Sequence, residues 1–199
     1  PRPMAIAQVR PATPDDAPAV TAVQREVWTT AWAGFLPAGL TEGFDDEAVS
    51  AAWARTAAGP GLRVATEGPE VVGFCLAGPA SEEDVADAVG AVPDDVGRVG
   101  LVATLLVSPR WGRRGHAGRL LVAAAAELRS AGATRGITWV PERDVASRAF
   151  YRRAGWEPDG TVRTLDAGGR PLREVRLGGP LDLEFAPEPT AEDLGLPLL

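Results

Sequence analysis

The sequence predicts one domain of the α/β class, a sheet covered by helices, and three observations carry that prediction. Short runs of strand character alternate with stretches whose apolar residues recur at helical spacing, so sheet and helices must share one core. The chain has 199 residues, a length that suits one well-cored domain. No internal repeat and no linker-like low-complexity segment divides it. The expected organisation is a single domain over residues 1–180 followed by an extended tail over 181–199, which carries three prolines and several acids.

Residues 5–10 read as a short strand, and the turn at 11–16 supplies Thr13, Pro14, Asp15 and Asp16 as cap and first-turn chemistry for a helix over 14–31. Val20, Val23, Val27 and Trp28 fall on one face of that helix. Residues 30–40 hold two glycines and a proline among aromatics and read as a loop. A second helix is expected over 45–58, ended by Gly59 and Gly61. Strands at 62–67 and 70–78 are joined tightly at Gly68 and Pro69. The second of these is apolar almost throughout, which predicts a central strand covered on both faces. The acidic stretch 80–98 has few and small apolar residues and reads as a surface insertion holding a short helix at 82–89. A strand at 101–107, a basic glycine loop and a helix over 114–130 follow. Ala117, Leu120, Leu121, Ala124 and Leu128 give that helix a core-facing stripe, and Gly132 closes it. A strand at 135–140, a helix at 144–154 stopped by Gly155, and a hairpin of 161–165 with 171–177 complete the domain.

Composition excludes several function classes. No run approaches the roughly 20 apolar residues of a membrane helix, and residues 1–10 lack the basic and apolar regions of a signal peptide. Cys75 is the only cysteine, so no intrachain disulfide is possible and a cytoplasmic protein is expected. A net charge of −7 argues against nucleic-acid binding, which draws most of its affinity from neutralised phosphates; it suits a cationic or amine-bearing small partner better. Every basic side chain is arginine, and asparagine is absent as well. With the many Ala, Gly and Pro, this reads as a coding bias.

The loop after the strand at 101–107 holds Arg110, Arg113, Arg114 and Arg119 beside a helix start. A helix N-terminus already carries partial positive charge and unpaired N–H groups, so cations gather there only if an anion shares the site. Gly112, Gly115 and Gly118 let the backbone come close, and phosphate is the anion such loops bind. An arginine-rich turn alone is a solvated surface loop; the strand, loop and helix context favours the anion site. A nucleotide P-loop needs a lysine that the chain lacks, and the glycine spacing is not that of a dinucleotide fingerprint. A second cluster, Asp144, Ser147 and Tyr151, is spaced three and four apart and shares a helix face, with Phe150 turned more toward the core. Each has a plain alternative, Asp144 as an N-cap and Tyr151 as an amphipathic rim residue. Tyr151 is the only tyrosine in the chain.

Together these motifs resemble those of the GNAT superfamily of N-acetyltransferases. Val107-x-Pro109-x-Trp111-x-x-x-Gly115-x-Ala117-x-x-Leu120-Leu121 is similar to the family's acyl-CoA motif, Gln/Arg-x-x-Gly-x-Gly/Ala. Asp144-x-x-Ser147-x-x-Phe150-Tyr151-x-x-x-Gly155-Trp156 is similar to a second family element that usually opens with Asn. The resemblance spans about residues 6–177 and implies a mixed, mostly antiparallel sheet with helices on both faces and central strands splayed apart. It implies acetyl transfer from acetyl-CoA (coenzyme A) to an amine by direct attack. Backbone groups of Leu105, Leu106 and Val107 would pair with the pantetheine arm, and the amides of Arg113, Arg114, Gly115, His116, Ala117 and Gly118 would cradle the diphosphate. Arg110, Arg113, Arg114 or Arg119 would lie near the phosphates, Asp144 and Ser147 would border the cofactor, and Tyr151 would be the general acid for the leaving thiolate. Two departures stand out: Gly112 replaces the polar first residue of the acyl-CoA motif, and Asp144 replaces Asn, keeping acceptor capacity but not the amide donor.

No general base announces itself. Glu26 and Glu142 are the candidates, and each is equally a solvated carboxylate. His116, the only histidine, would lie at the phosphate end, and a metal site built on it would be short of ligands, so no metal is expected. Trp28, Trp32 and Phe35 are the candidate acceptor pocket, although aromatics there equally suit an ordinary core. Asp45, Asp46 and Glu47 would draw a cationic acceptor toward it. The expected partners are a small-molecule amine and, at most, a second copy in a homodimer, without nucleic acid or membrane. Two alternatives are a non-catalytic acyl-CoA-binding regulatory domain that keeps the loop, and a nucleotide-phosphate binder.

Overall fold

A computed structural model describes residues 7–185. The beginning of the strand expected at 5–10 and the tail beyond residue 185 lie outside the described residues. The strands are β1 (Ala7–Pro11), β2 (Leu62–Glu67), β3 (Glu70–Pro79), β4 (Val99–Val107), β5 (Arg135–Pro141), β6 (Glu157–Asp166) and β7 (Pro171–Gly179). The helices are α1 (Ala17–Thr29), α2 (Ala38–Glu42), α3 (Asp46–Ala57), α4 (Glu82–Val85), α5 (His116–Ser130) and α6 (Val145–Arg153). One seven-stranded sheet runs in the order β1-β2-β3-β4-β5-β7-β6. Every neighbouring pair is antiparallel except β4 with β5.

The sheet buries an apolar layer on each face, as the unbroken apolar run of β3 requires. On one face the expected stripe of α5 delivers Leu120, Leu121, Ala124 and Leu128 onto Ala65, Cys75 and Val102, and α6 adds Tyr151. On the other, Val20, Val23 and Val27 of α1 and Ala57 of α3 cover Val64, Phe74 and Leu106. Cys75 is 1% exposed, and burial pushes its thiol up to about 12. Arg10 at the end of β1 clamps Asp16 ahead of α1 through two 2.8 Å hydrogen bonds. That guanidinium, the first cause, holds the Asp16 carboxyl down at about 2.

The feature that positions the site is where β4 and β5 part. Their parallel ladder runs from Val99 opposite Arg135 to Val102 opposite Thr138 and stops, although β4 continues to Val107 and β5 to Pro141. Just past the last rung β4 carries a bulge: Leu76 faces Thr104 but Ala77 faces Val102, so Ala103 is the extra residue. A bulge bends its strand and increases the local twist, which carries residues 103–107 away from β5. Thr138 Oγ1 donates to the Val102 carbonyl at 2.8 Å and closes the last joined rung.

Several expected bounds move for local reasons. The helix expected at 14–31 opens as a separate 3-10 turn, Pro14–Asp16, and its α-helical part ends at Thr29. The loop expected at 30–40 runs into α2, which starts after Pro37. The helix in the acidic insertion ends at Val85 because Asp87 turns back to accept the N–H groups of Val89 and Ala91. β6 begins at Glu157, earlier than expected, and accommodates a register shift between Pro158 and Val162 around Gly160, whose φ is +88°. Residues 181–185, read as the start of an extended tail, lie against the core: Leu181 is buried and Phe185 packs on Phe150 with ring centroids 5.7 Å apart. Among the described residues no helix is long and apolar enough to cross a membrane.

Candidate active site

The gap between β4 and β5 opens into a cavity of about 300 Å³. Thr104, Leu105 and Leu106 of β4 and Thr138 and Trp139 of β5 form its edges. Gln24, Trp28, Trp32, Leu36 and Leu40 line it from the α1 side, and Asp144, Ser147 and Tyr151 from the α6 side. The three α6 residues therefore do share a face, and it is the face turned to the gap.

Tyr151 is 4% exposed. Burial raises its phenol well above the usual tyrosine range, and the hydrogen bond with Thr138 opposes that shift only in part. The phenol consequently keeps its proton at neutral pH. Asp144 is the N-cap of α6 and accepts the Ser147 backbone N–H at 3.0 Å. Its second oxygen accepts the Ser147 hydroxyl at 2.6 Å and the Trp32 indole N–H at 2.9 Å. One carboxylate thus caps a helix and locks a cavity-lining aromatic.

A second hollow, about 680 Å³, lies between the basic loop and α6, lined by Val107, Trp111, Gly112, Gly118 and Phe150, with Phe185 at its rim. Phe150, half-buried, packs against the core as expected and also lines this groove. The loop suits an anion. Arg113 takes a left-handed conformation with φ +60° and Gly115, just before α5, has φ +77°. No side chain caps α5 and its first turn holds no acid, leaving its N–H groups and dipole for a ligand.

The four arginines are not equivalent. Arg110 pairs with Glu26 at 3.0 Å, and Arg114 pairs with Glu67 at 2.8 Å while its guanidinium lies 4.8 Å above the Trp111 ring. Arg119 donates to the Arg114 carbonyl at 2.8 Å. Arg113 has no acidic partner among the described residues. His116 turns its ring inward, 1% exposed. Its Nδ1 lies 3.3 Å from the Arg119 guanidinium, which can only donate, so Nε2–H donates to Glu67 at 2.9 Å. The loop keeps the His116 backbone N–H alone.

Other expected residues are not brought together. Glu26 is paired with Arg110, Glu142 is paired with Arg173 at 3.1 Å, and neither lines the cavity at Tyr151. Phe35 sits with Glu142 in a separate shallow hollow, because Trp32 and Leu36 are the residues of its turn that face inward. Asp45 caps α3, and Asp46 pairs with Arg25 at 2.6 Å, which offsets its charge. Conversely, Gln24, Trp139, Asp166, Leu172 and Glu174 line the cavity without having been singled out. Gln24 is one helical turn before Trp28, a spacing that pointed to it; the hairpin residues had no such signal.

Comparison with known proteins fits this geometry. No curated protein matches the sequence. Among solved structures, an N-acetyltransferase from Staphylococcus aureus Mu50 superposes with a TM-score of 0.66 at 15% identity, covering 89% of this chain and 99% of that one. A ribosomal-protein-alanine N-acetyltransferase from Brucella melitensis gives 0.65 at 19% identity, covering 87% and 99%. An N-acetyltransferase from Thermoplasma acidophilum in complex with coenzyme A gives 0.61 at 16% identity, covering 85% and 98%. At such identities these likenesses establish the fold. The sequence profile of the Acetyltransferase (GNAT) family matches residues 25–156. That span runs from α1 through the turn after α6, more than half of the 199 residues, and the chain therefore belongs to the GNAT family of acetyltransferases.

Proposed function

We propose that this protein transfers an acetyl group from acetyl-CoA to the amine of a small acceptor, which attacks the thioester directly. The observation that carries this reading is the open edge of β4 over a buried, protonated Tyr151, beside a helix N-terminus with neither cap nor acid. Bound acetyl-CoA supplies an activated thioester carbonyl and a leaving thiolate that needs a proton. The loop amides from Arg113 to Gly118, with the Arg113 guanidinium, hold the phosphates. Backbone groups of Leu105 and Val107 along the open edge hold the pantetheine amides and offer N–H stabilisation to the developing oxyanion, whereas those of Leu106, between them, face β3. Tyr151 delivers its phenolic proton to the departing sulfur. Glu26 and Glu142, outside the cavity and paired with arginines, reach the acceptor ammonium only through water. Juxtaposition in a pocket shielded by Trp28 and Trp32 supplies the rest of the rate enhancement.

A cavity of about 300 Å³ favours a small acceptor over a folded protein surface. A cytoplasmic setting rests on the single buried cysteine. Purified protein incubated with acetyl-CoA and a panel of amines should release free thiol in an amine-dependent way. Tyr151→Phe should lower kcat by about 10²–10⁴-fold with coenzyme A affinity kept, as read by calorimetry. Tight coenzyme A binding without turnover on any amine would instead establish the non-catalytic acyl-CoA-binding domain. Displacement of bound coenzyme A by ATP or NAD would point to a nucleotide binder.

A further inference from the structure

The acids that line the cavity are already satisfied, whereas two of its N–H donors are not. Asp144 accepts three hydrogen bonds, Glu174 accepts from Arg163 Nε at 2.6 Å, and Asp166 accepts the Gly169 N–H at 2.6 Å. By contrast, the Trp139 indole Nε1 is buried and has no hydrogen-bond partner among the described residues. Gln24 is held in one orientation, because its Oε1 accepts the Trp53 indole N–H at 2.7 Å. That leaves its NH2 as a donor without a partner among the described residues. Trp32, which also lines this cavity, shows the contrast: its indole N–H donates to Asp144.

A buried donor without an acceptor is costly, so the Trp139 N–H favours any ligand that brings an oxygen to it, and the Gln24 NH2 stands as a second donor on the cavity wall. Guanidinium groups of Arg163 and Arg176 lie 4.3 and 5.5 Å from the Trp139 ring, each held by an acid, Glu174 for Arg163 and Asp159 for Arg176, so the indole N–H has no competing acceptor from either pair. Around these donors the wall is apolar, with Trp28, Leu36, Leu40, Leu165 and Leu172.

We propose that the acceptor is a small apolar amine that also carries a carbonyl or carboxylate oxygen, bound by the Trp139 Nε1–H and the Gln24 carboxamide N–H. This rests on the acetyl-transfer reading above and names the chemistry of its second substrate. Trp139 and Gln24 act as specificity determinants, not as catalytic groups.

The test uses two matched sets: L-phenylalanine, its amide and phenethylamine; and L-leucine, its amide and isoamylamine. Thiol release and calorimetric binding are both measured. In at least one set an oxygen-bearing member should exceed the oxygen-free amine by about tenfold or more in kcat/KM and in affinity; acid and amide arms separate carboxylate from carbonyl recognition. Trp139→Phe, which removes the N–H and keeps a ring, should bring that ratio toward one. Gln24→Glu, which preserves the acceptor for Trp53 but replaces the NH2 with oxygen, should do the same, with circular dichroism confirming the fold of both. Equal handling of all members by the wild type, or a ratio unmoved in both variants, overturns the inference. Discrimination in binding without thiol release from any amine supports it and removes the acetyl-transfer reading instead.

Discussion

Asp144 caps α6 and bonds the Trp32 indole, a residue 112 positions earlier. Asp144→Ala should therefore lower stability by about 2–3 kcal/mol, a lost cap plus an orphaned indole, as read by urea denaturation. Asp144→Asn, which still accepts, should cost well under half of that. The cap was legible in the sequence, from an acid just ahead of helical spacing. The bond to Trp32 was not, because nothing local in either segment encodes a contact between α6 and the loop after α1. The same division holds for His116: its place at the start of α5 was legible, but its inward turn depends on Glu67 at the end of β2. Glu26 and Glu142 were legible as carboxylates near the right elements, but their arginine partners, which tie them outside the cavity, come from distant turns.

At the scale of elements, the start of α5 carries the sharpest expectation. Arg113 has neither an acidic partner nor a side-chain hydrogen bond among the described residues, whereas Arg110, its side chain 75% exposed, is engaged by Glu26. Arg113→Glu should weaken coenzyme A binding by about tenfold or more, through lost pairing and repulsion at the helix N-terminus. Arg110→Ala should leave it within about twofold, on the small worth of an exposed pair. Calorimetry at two salt concentrations measures both, and the Arg113 effect should shrink as salt rises. Equal losses in the two variants would show that the loop holds phosphate by net charge alone. The α5 and β3 spans were readable because a helical stripe and a continuous apolar run are local signals. The insertion of β7 between β5 and β6 was not, since strand order leaves no period in the sequence. That order delivers Leu172 and Glu174 to the cavity, and so the hairpin side of the acceptor wall stayed hidden.

Across the whole molecule, stability in acid should follow the clamp between β1 and the start of α1. The Asp16 carboxyl is held at about 2, below the ordinary 3.8, with the Arg10 guanidinium as the main cause. A lowered carboxyl stabilises the fold above its unfolded value and loses that contribution as pH falls through its folded value. Discounted for the 43% exposure of the Arg10 side chain, the contribution is about 1–2 kcal/mol near neutrality. The stability gap between wild type and Asp16→Asn should be full above about pH 4 and close toward pH 2; a gap independent of pH would assign it to packing. The mixed sheet and its two covered faces were expected from the sequence and the resemblance. The cavity's shape was not readable, because it arises where the bulge at Ala103 turns β4 away from a strand met in the chain some thirty residues later.

Cys75 gives the molecule a chemical clock. Its thiol, buried in the central strand and pushed up to about 12, is invisible to an aqueous disulfide reagent while the sheet is closed. In a thiol-release assay the folded enzyme should contribute no background, so every equivalent of colour is liberated coenzyme. The same reagent without substrate should label the single cysteine only as fast as β3 is uncovered. Labelling rates across denaturant would then time the opening of the central sheet, with no engineered probe. Immediate labelling of the native protein would show that the core around β3 breathes on the timescale of the assay.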